Sequence, residues 1–135
     1  MAEITHVLVV DDEKVVRDGC RRVLTGKGYK IATAENGLQA LEILAAQNID
    51  ILLLDLKMPV MGGKEVLEKT RDIYPDIPVI VITGHGTVDT AVECMKKGAY
   101  DFITKPFQID QFRITVERAA DKRRLELKAR QFEAE

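Results

Sequence analysis

A chain of 135 residues is the size of one ordinary domain, and 46% hydrophobic with 31% charged residues is a globular composition that excludes disorder along its whole length. A formal net charge of −2 provides no global basic field for nucleic acid or acidic lipid. Two cysteines, Cys20 and Cys94, are too few for a disulfide scaffold, no apolar run approaches the roughly 20 residues that span a bilayer, and no leader pattern opens the chain, so a cytoplasmic domain is expected with no membrane contact.

Strand and helix signals alternate five times. His6–Val10 reads as a strand, followed by a helix over about 13–27 with Val16, Cys20, Val23 and Leu24 on one face. Lys30–Ala34 is the second strand, and Asn36 with Gln39 caps a helix running through Ala46. Ile49–Leu54 is the third, with a helix from Gly63 to about Asp72 that stops before Pro75. Pro78–Thr83 leads to a helix capped by Thr87, in which Val88, Ala91, Val92 and Met95 align and Gly98 takes the left-handed position past the end. Asp101–Thr104 is the fifth strand, and the last helix begins after Pro106. Strands apolar almost throughout are buried on both faces. Alternating βα five times predicts an α/β fold, a doubly wound five-stranded parallel sheet with right-handed crossovers. The strand order expected for it is 2-1-3-4-5, in which the first and third strands are neighbours.

The fifth helix outruns the domain. Gln111 to Glu135 contains no Gly or Pro and carries seven basic and five acidic residues. Ile109, Phe112, Val116 and Ala119 are expected to cover the sheet, whereas Leu125, Ala129 and Phe132 form a second stripe at i, i+4, i+7. Residues 1–120 thus read as the domain and 121–135 as an extension, either a partner-seeking helix (a second copy of the chain, for example) or a solvated end. With no capping glycine before Glu135, a segment cut from a longer protein is the expectation.

In such sheets ligands bind beyond the carboxyl ends of the strands. Asp11 and Asp12 end the first strand, Asp55 the third, Thr83 the fourth and Lys105 the fifth. Three crowded carboxylates repel one another, and a hard divalent cation with oxygen ligands, Mg2+, relieves that repulsion. His6, Cys20, His85 and Cys94 lack zinc-ligand spacing. A carboxylate beside Mg2+, an ammonium and a hydroxyl is a phosphoryl-acceptor arrangement. Each residue also has an ordinary reading taken singly: Asp11–Asp12 as a helix cap, Thr83 satisfying a backbone group, Lys105 solvated. What points to chemistry is their convergence on one edge.

Val9-Val10-Asp11-Asp12-Glu13, Leu54-Asp55-Leu56-Lys57-Met58-Pro59, Ile82-Thr83-Gly84 and Phe102-Ile103-Thr104-Lys105-Pro106-Phe107 resemble the motifs of the receiver domain of two-component response regulators, over roughly residues 4–120. The resemblance implies a flavodoxin-like fold and phosphorylation of Asp55 by a histidine kinase or phosphotransfer domain. It implies Mg2+ held by Asp12, Asp55 and the Lys57 backbone carbonyl, with Asp11 acting through water. Thr83 and Lys105 would contact the phosphoryl oxygens, and Lys105–Pro106 would be cis. It further implies a switch in which Thr83 moves towards Asp55 and Phe102 turns inward, changing the face made by the fourth helix, fifth strand and fifth helix, a second candidate surface for a homodimer. Phe102 stands where many members have Tyr, and Tyr100 should share its side if the strand begins there. Gly62-Gly63 replaces a common Asp-Gly, which removes a helix-starting carboxylate and should loosen the loop. Lys57 and His85 resemble positions that tune dephosphorylation; Lys57 either shields the acyl phosphate from water or is simply solvated. The domain would be a signalling module that promotes its own phosphotransfer and dephosphorylation, not an enzyme acting on other substrates. The run Gly98–Phe107 and Thr83-Gly84-His85-Gly86 are similar to receivers of enhancer-binding activators that work with the alternative sigma factor, which have an ATPase and a DNA-binding domain downstream. No P-loop motif occurs in these residues, and direct nucleic-acid binding by this segment is not expected.

Other readings fit less well. A phosphohydrolase with an Asp nucleophile needs a second carboxylate two residues on, where Lys57 stands. Nucleotide or flavin binding at Gly84-His85-Gly86 lacks the third glycine, with Asp89 in its place. A receiver reduced to protein binding would not need all five site residues.

Overall fold

The computed structural model describes residues 4–84 and 87–134, with backbone only for 132–134. His85, Gly86 and the Phe132 side chain, which entered the expectations above, lie outside the described residues. Ten elements alternate: β1 (Thr5–Val10), α1 (Lys14–Leu24), β2 (Tyr29–Ala34), α2 (Gly37–Ala46), β3 (Ile51–Leu54), α3 (Gly63–Ile73), β4 (Val79–Thr83), α4 (Val88–Lys96), β5 (Asp101–Thr104) and α5 (Ile109–Ala134). The strands form one parallel sheet in the order β2-β1-β3-β4-β5.

The unbroken apolar runs of β3 and β4 are buried at every residue, as central strands of a covered sheet must be. Side chains alternate between two core layers. Leu8, Val10, Leu52, Leu54, Val79 and Val81 pack on the side of α2, α3 and α4. Val7, Val9, Ile51, Leu53, Ile80 and Ile82 pack under α1 and α5.

Local chemistry sets the boundaries. Asn36 Oδ1 accepts a hydrogen bond from the Gln39 amide at 3.0 Å, and Gln39 Oε1 accepts from the Glu35 amide at 2.9 Å, a reciprocal cap at the head of α2. Thr87 caps α4 by accepting from the Thr90 amide at 3.1 Å. Gly98, with φ of 107°, ends the turn after α4 in the left-handed region. The first helix stops at Leu24, three residues sooner than the periodicity predicts, because Thr25 is extended and Gly26 and Gly28 turn the chain at φ of 84° and 87°. Ile49 is buried as expected, but β3 begins at Ile51, where the register with Val7 starts.

Two expected helix faces are corrected. On α4 the inward residue is Cys94, while Val88, Val92 and Met95 face water, Val88 at 80% exposure. Apolar residues occupy both sides of this short helix, so alignment alone could not select the buried one. On α5 the sheet is covered by Phe112, Val116, Ala119 and Ala120, but Ile109 is 58% exposed. Phe107, just before the helix, packs against that core layer instead, its ring stacking on Phe112 with centroids 4.9 Å apart. Tyr100 precedes the strand and packs in the α1–α5 layer, while Phe102 packs in the opposite one.

Candidate functional site

Asp11 is the first residue beyond β1 and Asp55 the first beyond β3, and the pairing of those neighbouring strands at Val10 and Leu54 sets the two acids side by side. Carboxylate oxygens of Asp11, Asp12 and Asp55 all lie within 4.8 Å of one another. Asp11 and Asp55 are buried, and Asp12 is exposed. Lys105 follows β5; its amide donates to the Thr83 carbonyl at 2.8 Å, and the Lys105–Pro106 peptide is cis. The Lys105 ammonium donates to Asp11 Oδ2 at 2.7 Å and lies 3.7 Å from Asp55 Oδ2 and 3.5 Å from Glu13 Oε1. Asp12, Glu13, Asp55, Lys57, Gly84 and Lys105 line an open cavity of about 270 Å³.

Asp11 uses all its polar atoms. Its amide donates to the Ala34 carbonyl at 3.1 Å, its Oδ1 accepts from the Glu13 amide at 2.9 Å, and its carbonyl accepts from Arg17 Nη1 at 2.8 Å. The helix-cap reading of the Asp11–Asp12 pair does not hold: Asp11 accepts from the amide of Glu13, the residue before α1, and the helix has no side-chain cap, while the same carboxylate faces Lys105.

Burial and then the Asp11 charge push the Asp55 carboxyl above its ordinary 3.8, against the pull of Lys105 and of the Lys57 and Leu56 amides that donate to it. Burial works against the Lys105 ammonium, but the hydrogen bond to Asp11 and the charges of Asp11, Asp55 and Glu13 outweigh it and hold the pKa above 10.5. A buried carboxylate destabilised by its acidic neighbour, within an all-oxygen donor set, fits a hard divalent cation such as Mg2+. The residues that could hold it are Asp11, Asp12 and Asp55, with Lys57 on the same cavity.

The other expected site residues are less direct. Thr83 ends β4 wholly buried, paired in register with Thr104. Phe102 is half-buried in the layer beneath α4 and does not line the cavity. Gly63 corrects the expectation of a loosened loop. Its amide donates to the Leu56 carbonyl at 2.9 Å, and an added Cβ would fall 2.1 Å from the Asp55 carbonyl oxygen, so the head of α3 is pressed onto the Asp55 backbone. Gly62, the residue before α3, makes no side-chain cap. The sequence reading missed Arg17, whose guanidinium reaches the Asp11 carbonyl from the buried side of α1. A cation flanked by Val16 and Cys20 on an apolar helix face was the available signal.

Residues 7–117 match the family model described as the response regulator receiver domain. The chain belongs to that family. The receiver is 42% identical over 113 residues, 84% of this chain, to the DNA-binding transcriptional regulator NtrC of Escherichia coli K12, covering 24% of that protein. It is 42% identical to a putative NtrX-like response regulator of Rickettsia bellii over 87% of this chain and 25% of that protein. Among solved structures, the receiver domain of NtrX from Brucella abortus matches with a TM-score of 0.80 at 35% identity, over 85% of this chain and 98% of that one. A CheY-like receiver from Methanospirillum hungatei matches with a TM-score of 0.86 at 26% identity, over 92% and 99% of the two chains. The chain spans about a quarter of the length of the curated relatives it matches. It is a receiver domain of two-component signalling, homologous to NtrC- and NtrX-type transcriptional regulators, and receivers generally bind Mg2+ at an acidic pocket. No helix among the described residues is long and apolar enough to cross a membrane.

Proposed function

We propose that Asp55 is the phosphoryl acceptor of this receiver. One Asp55 carboxylate oxygen attacks the phosphorus of a phosphohistidine on a histidine kinase or phosphotransfer domain. The P–N bond breaks, an acyl phosphate forms, and the freed imidazole keeps the bonding pair and takes up a proton. Asp12, Asp55 and the Lys57 carbonyl, with Asp11 through water, would hold Mg2+, which would supply charge neutralisation for the phosphoryl oxygens. Lys105 and Thr83 hold two of those oxygens by an ammonium and a hydroxyl, the first already poised between Asp11 and Asp55. The observation that carries this reading is the three carboxylates within 4.8 Å of one another with the Lys105 ammonium 3.7 Å from Asp55.

Incubation with a small acyl phosphate and Mg2+ should add one phosphoryl group per chain by mass, and Asp55→Asn should add none. Wild-type stoichiometry in Asp55→Asn, or no uptake by the wild type with metal present, contradicts the assignment.

The response is a population shift. Contacts that the phosphoryl group makes with Thr83 draw that residue towards it, Phe102 turns inward, and the α4-β5-α5 face changes to control an output domain in the cytoplasm, transcriptional by the kinship to NtrC. In this reading residues 1–120 form the receiver and 121–135 extend α5 towards that output domain, with no nucleic-acid contact of their own. The exposed Leu125 and Ala129 give the extension a face for a second copy of the chain, as an alternative to dimerisation through α4-β5-α5. Sedimentation with and without residues 121–135 separates these cases: self-association lost with the tail supports the helix face, and identical monomers leave the extension solvated.

A further inference from the structure

We propose that Arg17 is a positioning residue for the metal rim, fixing the Asp11–Asp12 turn through the main chain; the inference rests on the reading of that rim as a Mg2+ site. Arg17 Nη1 donates to the Asp11 carbonyl at 2.8 Å, Nη2 lies 3.5 Å from Glu35 Oε1, and the side chain is only 12% exposed. Glu35 is itself held, because its amide donates to Gln39 Oε1 in the cap of α2. A single planar guanidinium thus joins α1, the turn after β1 and the turn after β2, a geometry that an ammonium cannot reproduce.

The Asp11 carbonyl is where the chain leaves the sheet and begins the turn bearing two of the three acids. The Asp11 carboxylate has holders of its own, the Glu13 amide and Lys105. Asp12 is exposed, and its place is set by the peptide plane that Arg17 holds. Partners lying behind metal ligands commonly change affinity by 10–100-fold when removed, because they fix ligand orientation.

Two physical effects of Arg17 have opposite signs, which makes the inference testable. If the guanidinium acted only as a nearby positive charge, its removal would lessen repulsion and tighten divalent-cation binding. If it positions the turn, removal loosens binding. Mg2+ titration of the full chain, followed by NMR or calorimetry, should show Arg17→Met binding about tenfold more weakly. The Mg2+ concentration for half-maximal phosphorylation by a small acyl phosphate should rise by the same factor. Arg17→Lys keeps the charge and loses the fork, so weaker binding there isolates geometry; it also serves if the methionine variant does not fold. Unchanged or tighter binding in the folded variants overturns the positioning assignment. A wild type that takes up no Mg2+ instead overturns the reading of the rim, a result distinct from any difference between variants.

Discussion

Helices α4 and α5 pack on opposite layers of the sheet, and they are held by different forces. The sheet-facing part of α5 buries Phe112, Thr115, Val116, Ala119 and Ala120, and Phe112 stacks on Phe107. Helix α4 buries Cys94 and leaves Val92 and Met95 each 46% exposed. Its attachments are polar. Lys64 of α3 pairs with Glu93 at 3.1 Å, Lys97 at the end of α4 pairs with Glu68 of α3 at 2.7 Å, and Arg71 of α3 donates to the Lys97 carbonyl at 3.3 Å. Apolar burial is insensitive to salt and to moderate pH, whereas exposed ion pairs respond to both. The contrast divides one face of the receiver into a part fused with the core and a part that is only tethered. Segments with little buried apolar area open at the lowest free energy, the property a moving element of a switch needs.

The largest expected effect comes from removing the anchor of α5. Phe112→Ala should cost about 3–5 kcal/mol in urea unfolding, as expected for a truncated buried aromatic. Met95→Ala on α4 should stay within about 0.5 kcal/mol. Equal losses at the two positions would erase the distinction. Next in size is the α4 cap: Thr87→Ala removes the acceptor for the Thr90 amide and should cost the helix about 1 kcal/mol. Native-state hydrogen exchange should then quicken about fivefold over residues 88–97, while protection at 112–120 is unchanged. If both helices speed up together, they form one cooperative unit and the tether picture fails.

What could be read from the sequence follows the same division. Short apolar runs located all five strands, most strongly β3 and β4, where burial on both faces leaves a continuous pattern. The five-fold βα alternation led to the doubly wound sheet whose expected order the structure shows. Asp11, Asp55 and Lys105 were legible because strand ends deliver residues to one edge whatever the packing detail. The buried side of α4 was not, since only a small Cys94 marks it and larger apolar residues lie outside. Ile109 misled for a related reason: it lies exposed at the first position of α5, and Phe107, outside the periodic pattern, stacks on Phe112. Arg17 escaped because periodicity scores an arginine as a polar residue and is blind to a guanidinium folded back onto a carbonyl. Gly63 looked like slack, yet a Cβ there would collide with the Asp55 carbonyl, which no local pattern reveals.

The smallest effects are the most specific to α4. The hydrogen bond from Lys97 and its charge hold the Glu68 carboxyl below its ordinary 4.5, and Lys64, followed by Lys97, does the same for Glu93. A lowered carboxyl pKa stabilises the fold fully above 4.5 and ceases to do so as pH falls through the lower folded-state value. The hydrogen bond to Glu68 chiefly raises Lys97 above 10.5, so that contribution is complete below 10.5 and fades as pH climbs past the folded value. The tether should therefore hold across neutral pH and slacken on acidification below 4.5, before the apolar anchor of α5 responds. Methyl NMR should show Val92 and Met95 shifting in that acid range while Val116 stays in place. Near 0.5 M NaCl at neutral pH the α4 methyls should move in the same direction by less, because salt screens the pairs without protonating them. Methyls of α4 that follow Val116 through both titrations would mean that contacts other than these ion pairs hold the helix.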